Sequence, residues 1–468
     1  MTSPDLLIAL PAGIPWVLAA VLALLDGHKR WVGVLAAAGL GAGFLSLVWL
    51  GSVVLREGTI ETTAGGWPEN VGITLRADAL GVTFALVSVG VILISMLYEL
   101  SLGVRWRTFP ALVLLVAAGL VGLFMTGDAF NFYVFFEISM TASFVLAGYR
   151  EKDYQIRAAF VFAVVNLLGS VLFLIGIAAL YSVTGSLDMD VISRRADLLD
   201  PSSVIAIAAL IFAAFCLKLG LFPFHFWLPA VYVGSHAPVA AILSGGLANI
   251  GAYGLLRFGA GVLPRELELG APAVMAVGAA SIAYGSLQAV SRRDASEVMA
   301  YSAIGQAGYV LLALGVGGPV GYAAAVVYAG VNALNKGVVL LSAGLRGPLV
   351  GAAFAVGAFS VAGVPPAAGF LGKLAVIKAC LAVETVPTAV ALVALIFLGS
   401  ALSFRYSFQV YQRRFMRPGG GEGKASPRAA RLLVGALAAL LLLVGLWPEP
   451  LALLSEAAAA ALTSEGAR

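Results

Sequence analysis

The chain has 468 residues, 61% hydrophobic and only 11% charged, with a mean hydropathy of +1.00. Soluble domains carry roughly a quarter charged residues, so a water-soluble fold is excluded and the composition is that of a polytopic membrane protein. The net charge of +4 comes from Lys and Arg scattered between apolar stretches, which reads as basic loops and excludes a nucleic-acid surface.

A spanning helix needs about 20 apolar residues. Such segments fall near 5–25, 31–54, 78–98, 108–126, 129–148, 157–182, 203–228, 237–259, 271–290, 300–316, 319–345, 350–382, 387–412 and 431–455, which predicts an all-α membrane protein of about fourteen transmembrane helices. The first segment reads as a membrane helix and not a cleaved leader, because Asp5 precedes its apolar run and Lys29 and Arg30 follow it. The 55 glycines fit close helix packing in lipid. Cys216 and Cys380 both lie in apolar segments and read as packing residues.

Sixteen Lys and Arg, from Lys29 and Arg30 to Arg428 and Arg431, fall on one side of this layout, against seven on the other that include Arg76, Arg194, Arg195 and Arg257. The basic side is expected in the cytoplasm, leaving both termini on the outer, periplasmic side of the cell inner membrane. The stretch Pro418 to Gly423 reads as a flexible cytoplasmic loop.

The segments at 203–228 and 350–382 are interrupted by proline, at Pro223 and at Pro365 and Pro366, and stand five helices apart. Proline frees a carbonyl, and non-helical backbone at membrane depth survives only where protein or water lines it. Paired broken helices point to inverted repeats with an ion path between them; the alternative is a pair of ordinary kinks.

Ionisable groups inside membrane segments cost roughly 3 kcal/mol each on insertion scales, so each is a functional hypothesis. They are Glu137, Lys218, Lys336, Lys373 and Lys378. Burial disfavours the charged form of such groups, and a carboxylate near an amine makes a pair whose separation changes the proton affinity of both. The alternative for Glu137 and Lys218 is a static ion pair that fixes packing. Lys378, near a segment end, reads as snorkelling to the interface. His225 and His236 flank the first proline break, either feeding protons into the path or bonding a freed carbonyl. With three histidines in the chain and no carboxylate beside those two in sequence, no metal site is supported. No phosphate loop, nucleophile elbow or dinucleotide fingerprint is present, so neither a cofactor nor self-contained catalysis is expected.

Gly65 to Leu80, the run Asn-Phe-Tyr-Val-Phe-Phe-Glu ending at Glu137, Lys218 to Pro229, Ala300 to Tyr309 and Gly363 to Lys373 together resemble the antiporter-like subunits shared by Mrp-type cation/proton antiporters, respiratory complex I and membrane-bound hydrogenases. The first two are most similar to the D-type member of Mrp antiporters. The resemblance implies fourteen helices, with helices 1–3 in residues 1–107, two inverted five-helix repeats at 108–259 and 271–412, each with a broken helix, and a cytoplasmic loop and last helix at 413–468. It also implies a proton path through Glu137, Lys218, Lys336 and Lys373, with partner membrane subunits. No room is left after 455 for the long lateral helix of the largest complex I subunit. Two positions depart from the family's habit: Asn249 stands where lysine is common, and Asn332 where many members carry histidine. Ser296 and Glu297 also replace a basic pair after Asp294. Asparagine holds water but takes no proton. The sequence thus supports a proton-translocating antiporter subunit, with a pumping subunit of a redox-driven complex or a non-transporting scaffold as alternatives.

Overall fold

The computed structural model describes residues 4–67, 72–149, 152–383, 385–416 and 426–465. Long apolar runs become helices because only a helix satisfies every backbone group within one segment in lipid. In chain order they are α1 (Pro4–Ala23), α2 (Arg30–Glu57), the hairpin β1 (Ile60–Thr63) and β2 (Thr74–Ala77), α3 (Ala79–Leu102), α4 (Phe109–Phe124), α5 (Ala129–Gly148), α6 (Asp153–Thr184), the short α7 (Met189–Ala196) and α8 (Pro201–Leu219). There follow α9 (Leu228–Gly234), α10 (Ala237–Ala241), α11 (Asn249–Gly254), α12 (Pro264–Ser291), α13 (Ala295–Val316), α14 (Gly318–Ala343), α15 (Pro348–Ala362), α16 (Ala368–Leu381), α17 (Val386–Tyr411), α18 (Arg428–Leu446) and α19 (Glu449–Glu465).

Among the described residues twelve helices are long and apolar enough to cross a membrane, and α4 and α15 are shorter apolar helices. The boundaries read from sequence hold closely for α4, α5 and α17, and shift elsewhere. α12 begins at Pro264 and not near 271, since its first turns carry Arg265, Glu266 and Glu268. The segment 350–382 is two helices, α15 and α16. The last crossing is also divided, at Trp447 and Pro448, and Gly445 there packs on the break between α15 and α16: an added Cβ would lie 2.0 Å from the Pro366 carbonyl oxygen. Pro418 to Gly423 lies outside the described residues.

The interior is built from Ala237–Val262, α13 and α14, whose apolar windows are 94%, 94% and 89% buried, whereas those of α17 and α18 are only 28% buried and turn apolar faces outward. Loops gather at two ends. At the basic end the Gly27 N–H donates to the Arg107 carbonyl at 3.0 Å and Arg413 donates to the Arg293 carbonyl at 3.1 Å. At the opposite end β2 runs beside Met125 to Gly127, and Leu187 accepts from the Ala129 N–H at 2.8 Å.

Candidate ion-translocation site

The two interrupted helices are built alike. α8 ends with the Gly220 N–H bonded to the Leu217 carbonyl at 3.1 Å and the Leu221 N–H to Cys216 at 3.1 Å. α15 ends with Gly363 on Ser360 at 3.0 Å and Val364 on Phe359 at 2.9 Å. This is the paired closure in which a left-handed residue stops a helix, and glycine supplies it at φ +67° and +80°. A cis prolyl bond follows at the same offset in each, Phe222–Pro223 and Pro365–Pro366. Carbonyls at both breaks also accept from side chains: the Trp227 indole donates to the Leu217 carbonyl at 3.1 Å, and Lys373 Nζ donates to Ala362 at 3.1 Å.

Lys218, on the last turn of α8, is 6% exposed. Its Nζ donates to the Asn166 carbonyl at 2.8 Å and to Ser170 Oγ at 3.2 Å, and lies 3.9 Å from the Phe136 ring centroid. Glu137, next to Phe136 on α5, is the acid whose field reaches Lys218. The two are not in direct ion-pair contact among the described residues, and Glu137 Oε1 is buried without a hydrogen-bond partner among them. A 20 Å³ cavity beside Lys218 is walled by Asn166, Tyr232, Ala248 and Ile250. That is room for about one water.

The middle of the bundle holds Asn249 and Lys336. A π-helical stretch, Ile242–Leu247, precedes α11; such insertions leave carbonyls open and recur at functional sites. One of those carbonyls, on Ser244, accepts from Lys336 Nζ at 3.3 Å. Asn249 Nδ2 donates to Ser88 Oγ at 2.9 Å and to the Gly245 carbonyl at 3.0 Å. Asn332 lies one turn before Lys336, 8% exposed, its Oδ1 buried with no partner among the described residues.

Lys373, 4% exposed on α16, donates to Ser400 Oγ at 2.9 Å and stands 5.0 Å from the Tyr309 ring. No carboxylate faces it within ion-pair distance among the described residues. Beside it lies a buried neutral network that sequence reading did not single out. Gln306 Nε2 donates to Ser403 Oγ and Tyr406 Oη, both at 3.3 Å, Tyr328 donates to Gln306 Oε1, and Ser302 and Tyr406 share a bond of 2.7 Å. The spacing Ser302, Gln306, Tyr309 on one face of α13 was the available signal.

The structure separates the two histidines. His225 Nε2 is 2.9 Å from Tyr284 Oη, beside the first break. His236 precedes α10, its ring centroid 4.9 Å from that of Trp106. Lys378 is exposed, as its place near a helix end implied. Glu99 was missed because the predicted span stopped at 98; it is 1% exposed, with Arg105 Nε 3.8 Å from its carboxylate.

Arg76 and Arg257, read from sequence as loop charges, are 4% and 1% exposed. Arg257 pairs with Asp78, which also caps α3 through the Gly81 N–H at 2.8 Å. Burial pushes the Asp78 carboxyl up, and Arg257, the Gly81 N–H and Arg76 together outweigh it and hold it below the usual carboxylate range. This pair locks the start of α3 to the second π-helical stretch, Leu255–Val262. At the same end Asp128, capping α5 at Asn131, is pushed up by burial and by Asp188 opposite.

These features define a polytopic helical membrane protein with broken helices and its ionisable side chains gathered inside the bundle. The sequence matches the family described as NADH:quinone oxidoreductase/Mrp antiporter, transmembrane region, over residues 126–347 and 340–399, and the chain belongs to that family. It is 29% identical over 472 residues to the D-type subunit of the Na(+)/H(+) antiporter of Alkalihalophilus pseudofirmus, covering 95% of this chain and 94% of that one. It is 30% identical to the putative antiporter subunit mnhD2 of Staphylococcus aureus, covering 80% of each. Its fold is similar to a chain of the Mrp complex from Dietzia sp. DQ12-45-1b (TM-score 0.89, 25% identity, 99% of this chain and 98% of that one). It is also similar to a chain of respiratory complex I from Thermus thermophilus (TM-score 0.84, 25% identity, 97% and 99%).

Proposed function

We propose that the chain is the proton-translocating subunit of a multi-subunit, Mrp-like Na+/H+ antiporter in the cell inner membrane, working with other membrane subunits. The observation that carries this reading is the placement of Lys218 and Lys373 at two helix breaks of the same construction, with Glu137 facing the first. The fourteen crossings are the twelve long helices with α4 and the divided α15 and α16 completing the set. The repeats at 108–259 and 271–412 are related by inverted topology, the basic end is cytoplasmic, and both termini face outward.

Protons travel along Glu137, Lys218, Lys336 and Lys373. When Glu137 and Lys218 lie close, each favours the charged form of the other; when they separate, the amine gives up its proton toward the cavity beside it. His225 and His236 are on the basic half and supply protons from that side. Asn249 and Asn332 carry no proton and hold water between the lysines. Proteoliposomes containing the whole complex should show Na+-driven proton movement, and none above background sinks the proposal.

A second reading is favoured by the likeness to a chain of respiratory complex I. In it the same path is driven by redox subunits. Purification from native membrane separates the two: small antiporter partners favour the first, flavin- or iron–sulfur-bearing partners the second.

A further inference from the structure

At the basic end, three arginines from three separate segments converge. Arg346 lies between α14 and α15, Arg414 in the π-helical stretch Gln412–Met416 after α17, and Arg431 in the first turn of α18. The Arg431 side chain covers Gly347, where an added Cβ would be 3.4 Å from Cδ and 3.7 Å from Nη1. Arg346 is the strongest charged influence on Arg414, and the backbone N–H of Arg346 donates to Ser426 Oγ at 2.9 Å. Asp294 and Tyr98 face Arg414 from neighbouring elements.

None of Arg346, Arg414 and Arg431 has a carboxylate within ion-pair distance among the described residues. The Nε atoms of Arg414 and Arg431 are buried and without a partner among those residues. Two helices also begin here, α15 and α18, neither with a side-chain cap nor an acid in its first turn. A basic end is what topology requires. Arginines gathered beside two helix N-termini are the reverse of what the helix dipole favours, and an anion with several acceptor oxygens reverses that cost.

Beneath the arginines, Leu349 and Leu432 are 42% and 53% exposed. Leu349 lies on Gly435, at 3.4 Å from an added Cβ, so the two leucines form one apolar strip leading away from the charges. Cations above an exposed apolar strip match a lipid, not a soluble anion. We propose that this is a binding site for the headgroup of an anionic phospholipid, its phosphate held by Arg346, Arg414 and Arg431 and its acyl chains lying along Leu349 and Leu432. The bound lipid then clamps α15, the first half of the second broken helix, to α17 and α18.

The test uses the full chain in its complex, purified and delipidated, with phosphatidylglycerol, phosphatidylcholine or inorganic phosphate added. Native mass spectrometry reads retained lipid, and the unfolding midpoint reads its effect. Phosphatidylglycerol should be retained and raise the midpoint, phosphatidylcholine much less, and phosphate not at all. Arg346→Gln with Arg431→Gln should weaken phosphatidylglycerol retention by about tenfold; if the pair does not fold, each single variant should weaken it less. Arg194→Gln with Arg195→Gln, at the other end, should change nothing. The proposal is overturned by equal retention of the two lipids, by unchanged retention in the arginine variants, by phosphate alone reproducing the effect, or by a partner protein covering the arginines.

Discussion

Lys218 and Lys373 end up in different chemical surroundings although the helix breaks beside them are built the same way, Lys218 on the helix before its break and Lys373 on the helix after it. Each lies beside a glycine-closed helix end followed by a cis prolyl bond. Lys218 feels the charge of Glu137 and adjoins a cavity with room for about one water. Among the described residues Lys373 meets neutral groups, Ser400, the Ala362 carbonyl and the Tyr309 ring, backed by Gln306 and Tyr406. The lesson is that one backbone device can hold a lysine in the membrane, while the partner side chains decide whether it is switched by charge or served by hydroxyls.

The pair at the first site gives the largest expected effect. Glu137→Ala removes the negative charge facing Lys218, and Lys218→Ala removes the amine itself; either should lower transport by the assembled complex by about tenfold or more, some 1.4 kcal/mol on the limiting step. Glu137→Asp keeps the charge and shortens its reach, and should retain partial activity. Assembly should survive in all three, since Glu137 has no direct ion pair to lose among the described residues. Wild-type flux from pH 6 to 9 in both alanine variants would make the pair structural and remove the contrast between the sites.

At the second site Gln306→Glu sharpens the comparison by putting an acid into the neutral network beside Lys373. A buried carboxylate there would hold Lys373 charged and break the amide's donations to Ser403 and Tyr406. Transport should fall several-fold, less than for Lys218→Ala, while Gln306→Asn, which keeps the amide, should lose less. Gain of flux in the glutamate variant would show that the neutral network limits the second site.

Gly363→Ala tests the break itself. At φ +80° any side chain is strained, and an added Cβ would lie 2.6 Å from Lys373 Cδ. The expected cost is about 1 kcal/mol or more in stability, together with a loss of transport, because Lys373 must move from the Ala362 carbonyl. Gly220→Ala, at φ +67°, meets Leu228 at 2.5 Å and not its lysine, so it should destabilise similarly and spare transport per folded complex. Equal transport loss in both would mean that the breaks act only as hinges.

Away from both sites, Asp78→Asn removes the carboxylate that pairs with buried Arg257, and taking one partner from a buried ion pair typically costs about 3–5 kcal/mol. Because the folded Asp78 carboxyl is held low, its stabilisation is present above the unfolded value near about 4 and is lost as pH falls through the folded value. The stability gap between wild type and variant, followed by thermal unfolding, should therefore be full at neutral pH and shrink in acid.

Much of this was legible in the residues. Apolar length located the helices, because lipid leaves the backbone no other choice, and four of the charges read in such runs, Glu137, Lys218, Lys336 and Lys373, are buried or half-buried in the bundle. What stayed hidden depends on three-dimensional pairing. Arg257 lies at the end of a hydrophobic run and looked like a loop charge; only the fold shows Asp78 against it. Gln306 and Tyr406 are uncharged and 100 residues apart, so nothing in composition set them apart before α13 and α17 met. The π-helical stretch that opens the Ser244 carbonyl to Lys336 leaves no trace in periodicity that composition alone reveals.

The smallest expected effect is at Asn249, between the two sites. Its amide is satisfied by Ser88 and Gly245, and the residues on either side of it wall the water-sized cavity next to Lys218. If a water there passes protons between Lys218 and Lys336, then Asn249→Leu, close in size but unable to hold water, should lower flux by a few-fold. Asn249→Lys adds a titratable group on the same line. Inserting one more amine costs about 3 kcal/mol where it cannot reach a partner, but Ser88 and the open carbonyls of the π-helical stretch stand within its reach. Flux should therefore be close to wild type or higher, with the complex intact. Asn249→Leu matching wild type in proton flux, measured on the same purified complex, would show that the first and second sites communicate by another route.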